Sequence, residues 1–196
     1  MAKIKASKNS SKKEVILKKA SSLFKAKGFN AASMRELAEV VGVEAPSLYN
    51  HIGSKSELLQ TICFKVADEF TAQLTETENI TISTVNKIEF IIRFHITMML
   101  DKFDEVFVAN HEWKHLQEPF LSNFLNQRRI YEKRLVAIIE EGIIKKELRN
   151  INAYVAVLTI LSAVRGLEFW QRHKKNVSIA DLENDMVNHL LNGLIK

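Results

Sequence analysis

The chain has 196 residues, 46% hydrophobic and 26% charged, with only 6 Gly and 2 Pro, which excludes a strand-and-turn architecture and leaves apolar material for one core, or a small module beside a larger core. The net charge is +5, yet residues 1–65 hold 12 Lys and Arg against 5 Glu and the remainder is slightly acidic, so the basic segment is N-terminal and suits a polyanionic partner. One cysteine, Cys63, excludes an intrachain disulfide, and an N-terminus without an apolar leader points to a cytoplasmic chain.

A Lys-bearing tail over residues 1–10 leads into three copies of the capping box S-x-x-E: Ser11 to Glu14, Ser33 to Glu36 and Ser54 to Glu57. In such a box the Ser hydroxyl accepts from the N3 amide and the Glu reaches back to the N-cap amide, so each copy marks a helix start. Val15, Ile16, Ala20, Leu23 and Phe24 follow helical spacing, and Gly28 supplies a stop, which predicts a first helix over 12–27. Met34, Leu37, Ala38 and Val41 predict a second over 34–41, ended by Gly42. Pro46 is tolerated in a first turn, so residues 45–51 predict a third, and Gly53 separates it from a longer helix opened by Ser54. Two short helices joined by a Gly-containing turn in a basic module describe a helix-turn-helix.

The residues "ASMRELAEVVGVEAPSLYNHIGSKSELL" resemble the DNA-binding module of the tetracycline-repressor (TetR) family, with Ser33, Leu37-Ala38, Val41-Gly42-Val43, Leu48-Tyr49, His51 and Lys55 to Leu58 on its pattern. Ile52 replaces the common Phe, and Glu44 stands where Ser or Thr often caps the recognition helix. The resemblance implies an all-α regulator and no enzyme. It implies phosphate contacts by Tyr49 and Lys55, while the amide end of the second helix at Ser33, with Arg35 beside it, is expected to bind phosphate. On the recognition helix Ala45, Pro46, Ser47, Asn50 and His51 are the candidates for base edges, with Leu48 and Val43 as module core.

Further helices are expected over 83–102, 103–116, 119–147, 153–174 and 178–194. Leu182, Met186, Leu190 and Leu194 form a stripe, and residues 154–170 are apolar nearly all round, which asks for a partner. The longest uncharged run, 153–164, falls short of the ~20 residues of a membrane helix, so no membrane span is expected. The resemblance implies that the last two helices form a four-helix homodimer interface. It also implies an effector cavity among the middle helices, walled here by Phe90, Phe94, Met98, Phe107, Trp113, Phe124 and Tyr131. The stretch "HEWKHL...RRIYEKRLVAIIEEGIIKKEL...LEFWQR" is similar to members that sense acyl-coenzyme A, for whose phosphates Arg128, with Arg129 and Arg165, is the candidate.

His111, Glu112 and His115 also spell H-E-x-x-H, a zinc-hydrolase signature that needs a third ligand. Glu118 is too near to complete it, which leaves Glu132, Glu140 or His95. The reading as a whole is an N-terminal helix-turn-helix module, residues 1–58, and a C-terminal ligand-binding and dimerisation domain, residues 59–196. Such a chain binds an operator in double-stranded DNA as a homodimer, represses transcription and is released by a small apolar effector. It requires no cofactor or metal; a hydrolase built on the HEWKH motif is the alternative.

Overall fold

The computed structural model describes residues 12–173 and 177–195, so the tail of residues 1–10 and the Ser11 cap lie outside the described residues. Among the described residues ten α-helices follow in chain order: α1 (Lys12–Lys27), α2 (Met34–Val41), α3 (Ala45–Tyr49), α4 (Lys55–Asn79), α5 (Thr84–Asp101), α6 (Phe103–His111), α7 (Phe120–Ile144), α8 (Ala153–Arg165), α9 (Leu167–His173) and α10 (Ile179–Asn192). A 3₁₀ turn, Trp113–His115, follows α6, and an isolated bridge joins Leu148 to Ile195. The helices fall into two compact units. The first holds the described residues up to Val66 together with Asp104–Ser122; the second holds Ala67–Phe103 and the described residues from Asn123 onward. The first unit is thus larger than residues 1–58, because α6 and the 3₁₀ turn group with the N-terminal helices.

In the first unit α1 buries Ile16, Leu17, Ala20, Leu23 and Phe24, while Val15 is exposed. Its last turn is closed by the Gly28 amide donating to the Phe24 carbonyl at 2.8 Å, with Gly28 at φ 81°, a conformation that favours glycine. Gly42, also at φ 81°, ends α2 in the same way, its N–H meeting the Ala38 carbonyl at 2.9 Å. The recognition helix α3 is shorter than expected. It stops at Tyr49, and Asn50 and His51 form a turn in which the His51 amide bonds to the Leu48 carbonyl at 3.0 Å. Leu48 and Ile52 are buried, so the Ile that replaces the family's Phe still fills the module core.

The second unit is organised on α5, whose stripe Ile88, Ile91, Ile92, His95, Ile96, Met98 and Met99 is buried. Helices α8, α9 and α10 each contact it. The single helix expected over 153–174 is interrupted at Gly166, where α8 ends and α9 begins. Ala153–Gln171 is long and apolar enough to cross a membrane by length and composition alone, a test that a core helix also passes, and 33% of it is buried. Counting uncharged residues stops at Arg165, whereas mean hydropathy tolerates an isolated charge. On α8 the exposed apolar residues are Tyr154 (60%), Val155 and Leu158 (52%), opposite the buried face of Ala156, Val157, Ile160 and Val164.

Helix α7 ends in a tight close: the Glu147 and Leu148 amides both donate to the Gly142 carbonyl (3.0 and 3.1 Å), with Lys146 at φ 61°. A Cβ at Gly142 would stand 2.7 Å from Leu148 Cδ1 and 2.8 Å from Thr84 Cγ2. Gly142→Ala is therefore expected to lower the melting temperature, through overpacking that costs about 1–3 kcal/mol; calorimetry showing an unchanged or raised melting point would contradict this packing.

Candidate nucleic-acid interface and ligand core

The helix-turn-helix is assembled by local caps. Ser33 Oγ accepts from the Glu36 amide (3.2 Å) and Glu36 Oε2 accepts from the Ser33 amide (2.9 Å), a complete capping box. The Lys27 ammonium also bonds Glu36, and together with the Ser33 contacts it holds the Glu36 carboxyl down at about 2. An anion already sits on the first turn of α2. The Glu36 carboxylate thus occupies the Ser33 amide, one of the donors at this helix end. Before α4, Ser54 Oγ accepts from the Glu57 amide (3.0 Å), and Glu57 reaches past Ser54 to the Gly53 amide (2.9 Å).

The outward face of α3 is set by its first turn and by the burial of Leu48. Glu44 at its N-cap makes no side-chain capping bond, and Pro46 lies in the first turn, where no backbone donor is lost. Pro46, Tyr49 (52% exposed), Asn50 and His51 are exposed, and Ala45 and Ser47 are half-buried. Arg35 projects from α2 with its guanidinium 3.5 Å from Glu39, a pair so exposed that water screens it.

Lys55 is placed differently from the expectation of a phosphate contact. Its ammonium donates to the carbonyls of Phe29 (2.9 Å), Asn30 (3.3 Å) and Ala32 (2.8 Å) and lies 4.6 Å from the centre of the Phe29 ring. All three donors of the ammonium are spent on the α1–α2 loop. The other side of that loop is held from the end of α6. Glu112 accepts from the Phe29 amide at 2.9 Å, and the His115 ring stacks on Phe29 at 5.5 Å and 22°. Asp104 at the start of α6 bonds both Ser22 and Lys25 of α1.

These contacts also settle the geometry of the H-E-x-x-H residues. The signature needs two His one turn apart on a helix with a Glu available as base. Here α6 ends at His111, whose ring lies against Phe107 (4.3 Å); Glu112 begins the 3₁₀ turn and is engaged by Phe29; His115 lies on the Phe29 ring, 3.5 Å from Glu112. Among the described residues no group of three or more His, Cys, Asp or Glu is arranged to hold a metal. The geometry gives no support to the hydrolase alternative.

In the second unit an aromatic cluster forms between α4, α5 and α7. Phe70 meets Phe94 edge-on (5.6 Å), lies 4.5 Å from the His95 ring and 6.0 Å from Tyr131. His95 Nε2 and the Tyr131 hydroxyl are 2.8 Å apart. Burial pushes the His95 imidazole down to about 4 and the Tyr131 phenol upward, so both are neutral near pH 7. Phe94, Met98, Phe124, Arg128 and Tyr131 belong to this unit, with Met98 and Phe124 buried and Arg128 5.8 Å from the Phe124 ring. Phe90 does not line the core: it is 50% exposed, because it stands more than half a turn round α5 from Ile88. Phe107 and Trp113 belong to the first unit. Sequence reasoning misses Phe70 and His95 as cluster members; the position of His95 in the apolar stripe of α5 is the signal for it.

A short helix presented outward by a capped partner helix, ahead of a larger helical core, defines a DNA-binding regulator of transcription. Residues 16–62 match the bacterial regulatory proteins of the tetR family, and residues 81–194 match the tetracyclin repressor-like C-terminal domain. The chain belongs to the TetR family. A stretch of 134 residues, 68% of the chain, is 21% identical to the HTH-type transcriptional repressor KstR2 of Mycolicibacterium smegmatis and spans 65% of that relative's length. The structure of the ketosteroid transcriptional regulator KstR2 of Mycobacterium tuberculosis matches with a TM-score of 0.88 at 19% identity, covering 97% of this chain and 98% of that one. The structure of AibR in complex with isovaleryl coenzyme A and operator DNA matches with a TM-score of 0.80 at 22% identity, over 92% and 98%. At these identities the likeness is one of fold.

Proposed function

We propose that the chain is a homodimeric, cytoplasmic repressor that reads an operator with α3 of each protomer and is released by an acyl-coenzyme A. The observation that carries DNA readout is the outward face of α3, where Pro46, Tyr49, Asn50 and His51 are exposed while Leu48 anchors the helix. Ala45, Pro46 and Ser47 suit thymine methyls and groove edges, Asn50 an adenine edge, and Tyr49 and Arg35 the flanking phosphates. Ser33 serves the site by fixing the start of α2, and Lys55 by fixing the loop before it. Dimerisation is supported by the exposed Tyr154, Val155 and Leu158 on α8 and by the half-buried Leu182, Met186 and Leu190 on α10. A repressor among the relatives and an acyl-coenzyme A complex among the similar structures support the regulatory sign and the effector class. Release follows as a population shift, the effector favouring a conformation of the dimer in which the recognition helices are wrongly spaced.

The DNA half is tested by salt dependence. Arg35→Ala is expected to weaken binding to all sequences alike and to reduce the slope of log K against log salt by about 1, as loss of one phosphate contact does. An unchanged slope would remove Arg35 from the interface. Titrating acyl-coenzyme A into the protein–operator complex tests the effector half, with release at saturation as the expected result and retention of DNA as the contrary one.

A further inference from the structure

Between Ser33 and Glu57 the chain carries four carboxylates, Glu36, Glu39, Glu44 and Glu57. Three are engaged. Glu36 accepts from the Ser33 amide and bonds Lys27, Glu57 accepts from the Gly53 amide, and Glu39 stands 3.5 Å from the Arg35 guanidinium. Glu44 is exposed at the N-cap of α3, and among the described residues its side chain has neither a capping bond nor an ion pair. The local sequence explains why this carboxylate is left over. A side-chain cap takes the amide of the second or third helical residue. The second in α3 is Pro46, which has no N–H, and the third is Ser47, whose amide already donates to the Glu44 backbone carbonyl at 2.9 Å. The start of the helix therefore offers the Glu44 side chain nothing to cap.

An unpaired negative charge at this place acts on DNA binding in two ways. Beside phosphates it lowers affinity for every sequence alike. In the major groove, where the N-terminal residues of a recognition helix meet base edges, the cost is offset only where a base presents a donor. Guanine presents two acceptors, thymine an acceptor and a methyl group, and adenine an acceptor beside its N6 amine; cytosine alone presents a donor, its N4 amine, without an acceptor next to it. We propose that Glu44 is a specificity-determining residue, which accepts a hydrogen bond from the N4 amine of a cytosine in each half of the operator and disfavours the other three bases at that position. The proposal rests on readout by α3 and adds to it an acidic contact, the base it selects and the bases it rejects. Glu44 contributes discrimination more than affinity, because its repulsion from phosphates is present on every sequence and its bond to a base on few.

The test is selection from a randomised duplex DNA library with the intact protein and with Glu44→Gln and Glu44→Ala, followed by anisotropy titration of the enriched duplex and its single-base variants. Wild type is expected to enrich a C·G pair at one position of each half-site and to bind other pairs there about tenfold more weakly, as one mismatched base pair does. Gln keeps the shape of Glu and adds an amide donor, so Glu44→Gln is expected to move that position from cytosine to adenine and to leave the other positions unchanged. Glu44→Ala is expected to lose the preference there and to bind unrelated duplex more tightly, since the repulsion is gone. Both variants should melt with wild type, because no capping bond is lost; a lowered melting temperature with weakening at all positions alike would make the role structural and overturn the proposal. If wild type enriches an operator and both variants enrich the same bases at every position, Glu44 reads no base and readout by α3 stands without it. If wild type enriches no sequence, readout by α3 fails and the Glu44 proposal fails with it.

Discussion

Lys55→Met is expected to destabilise the helix-turn-helix unit by about 3 kcal/mol, since hydrogen bonds to charged groups contribute roughly 1.5–3 kcal/mol each and the released carbonyls recover part of this from water. The Met side chain keeps most of the apolar stem while removing the ammonium that gathers the Phe29, Asn30 and Ala32 carbonyls. The loop so released is the one that leads into the Ser33 cap of α2, and α2 in turn contacts α3. Operator affinity should therefore fall through lost order, while the slope of log K against log salt for the folded fraction stays as in wild type. That pattern separates Lys55 from Arg35, whose loss changes the slope and leaves stability alone. A stable Lys55→Met protein with a flattened slope would restore the phosphate role and contradict the loop-holding role.

Leu158→Arg carries the other large expectation. Leu158 is half-exposed on the outward face of α8, one turn from Tyr154 and two turns from Arg165 on the same side. In a homodimer this face is buried against its copy, and two arginines brought together there repel while losing their water. The variant is expected to sediment as a monomer at concentrations where wild type is a dimer. Operator affinity should drop by roughly 100-fold or more, because the second recognition helix no longer arrives at high effective concentration. Since the substitution is on the solvent side of the isolated chain, the melting of the monomer should change little. A Leu158→Arg protein that remains dimeric would place the interface elsewhere.

The elements most legible in the sequence were those with local signals. Ser33 with Glu36, Gly28 and Gly42 set the limits of α1 and α2 as expected, because a cap or a positive-φ stop is decided by residues three or four apart. The outward face of α3 was legible for the same reason, though its length was not: residues 50 and 51 continue the pattern of the helix but form a turn. Contacts distant in sequence were not legible. Lys55 meets carbonyls 23 to 26 residues earlier, and Glu112 meets an amide 83 residues earlier, so a motif match suggested metal chemistry for a residue that holds a loop. Phe90 shows the limit of aromatic counting, since bulk alone does not say which side of a helix faces the core. The apolar stretch from Ala153 shows a second one: one composition serves a membrane span, a core helix and a helix shared between two copies, and only the division into a buried and an exposed face distinguishes them.

Selection from a randomised duplex DNA library, with sequencing of the bound fraction, tests the central claim most directly. A dimer that reads DNA with two copies of α3 is predicted to enrich an inverted repeat whose half-site centres are about 34–36 Å apart, or a multiple of this. Recovery of no enriched sequence, or of a single asymmetric site, would contradict the account.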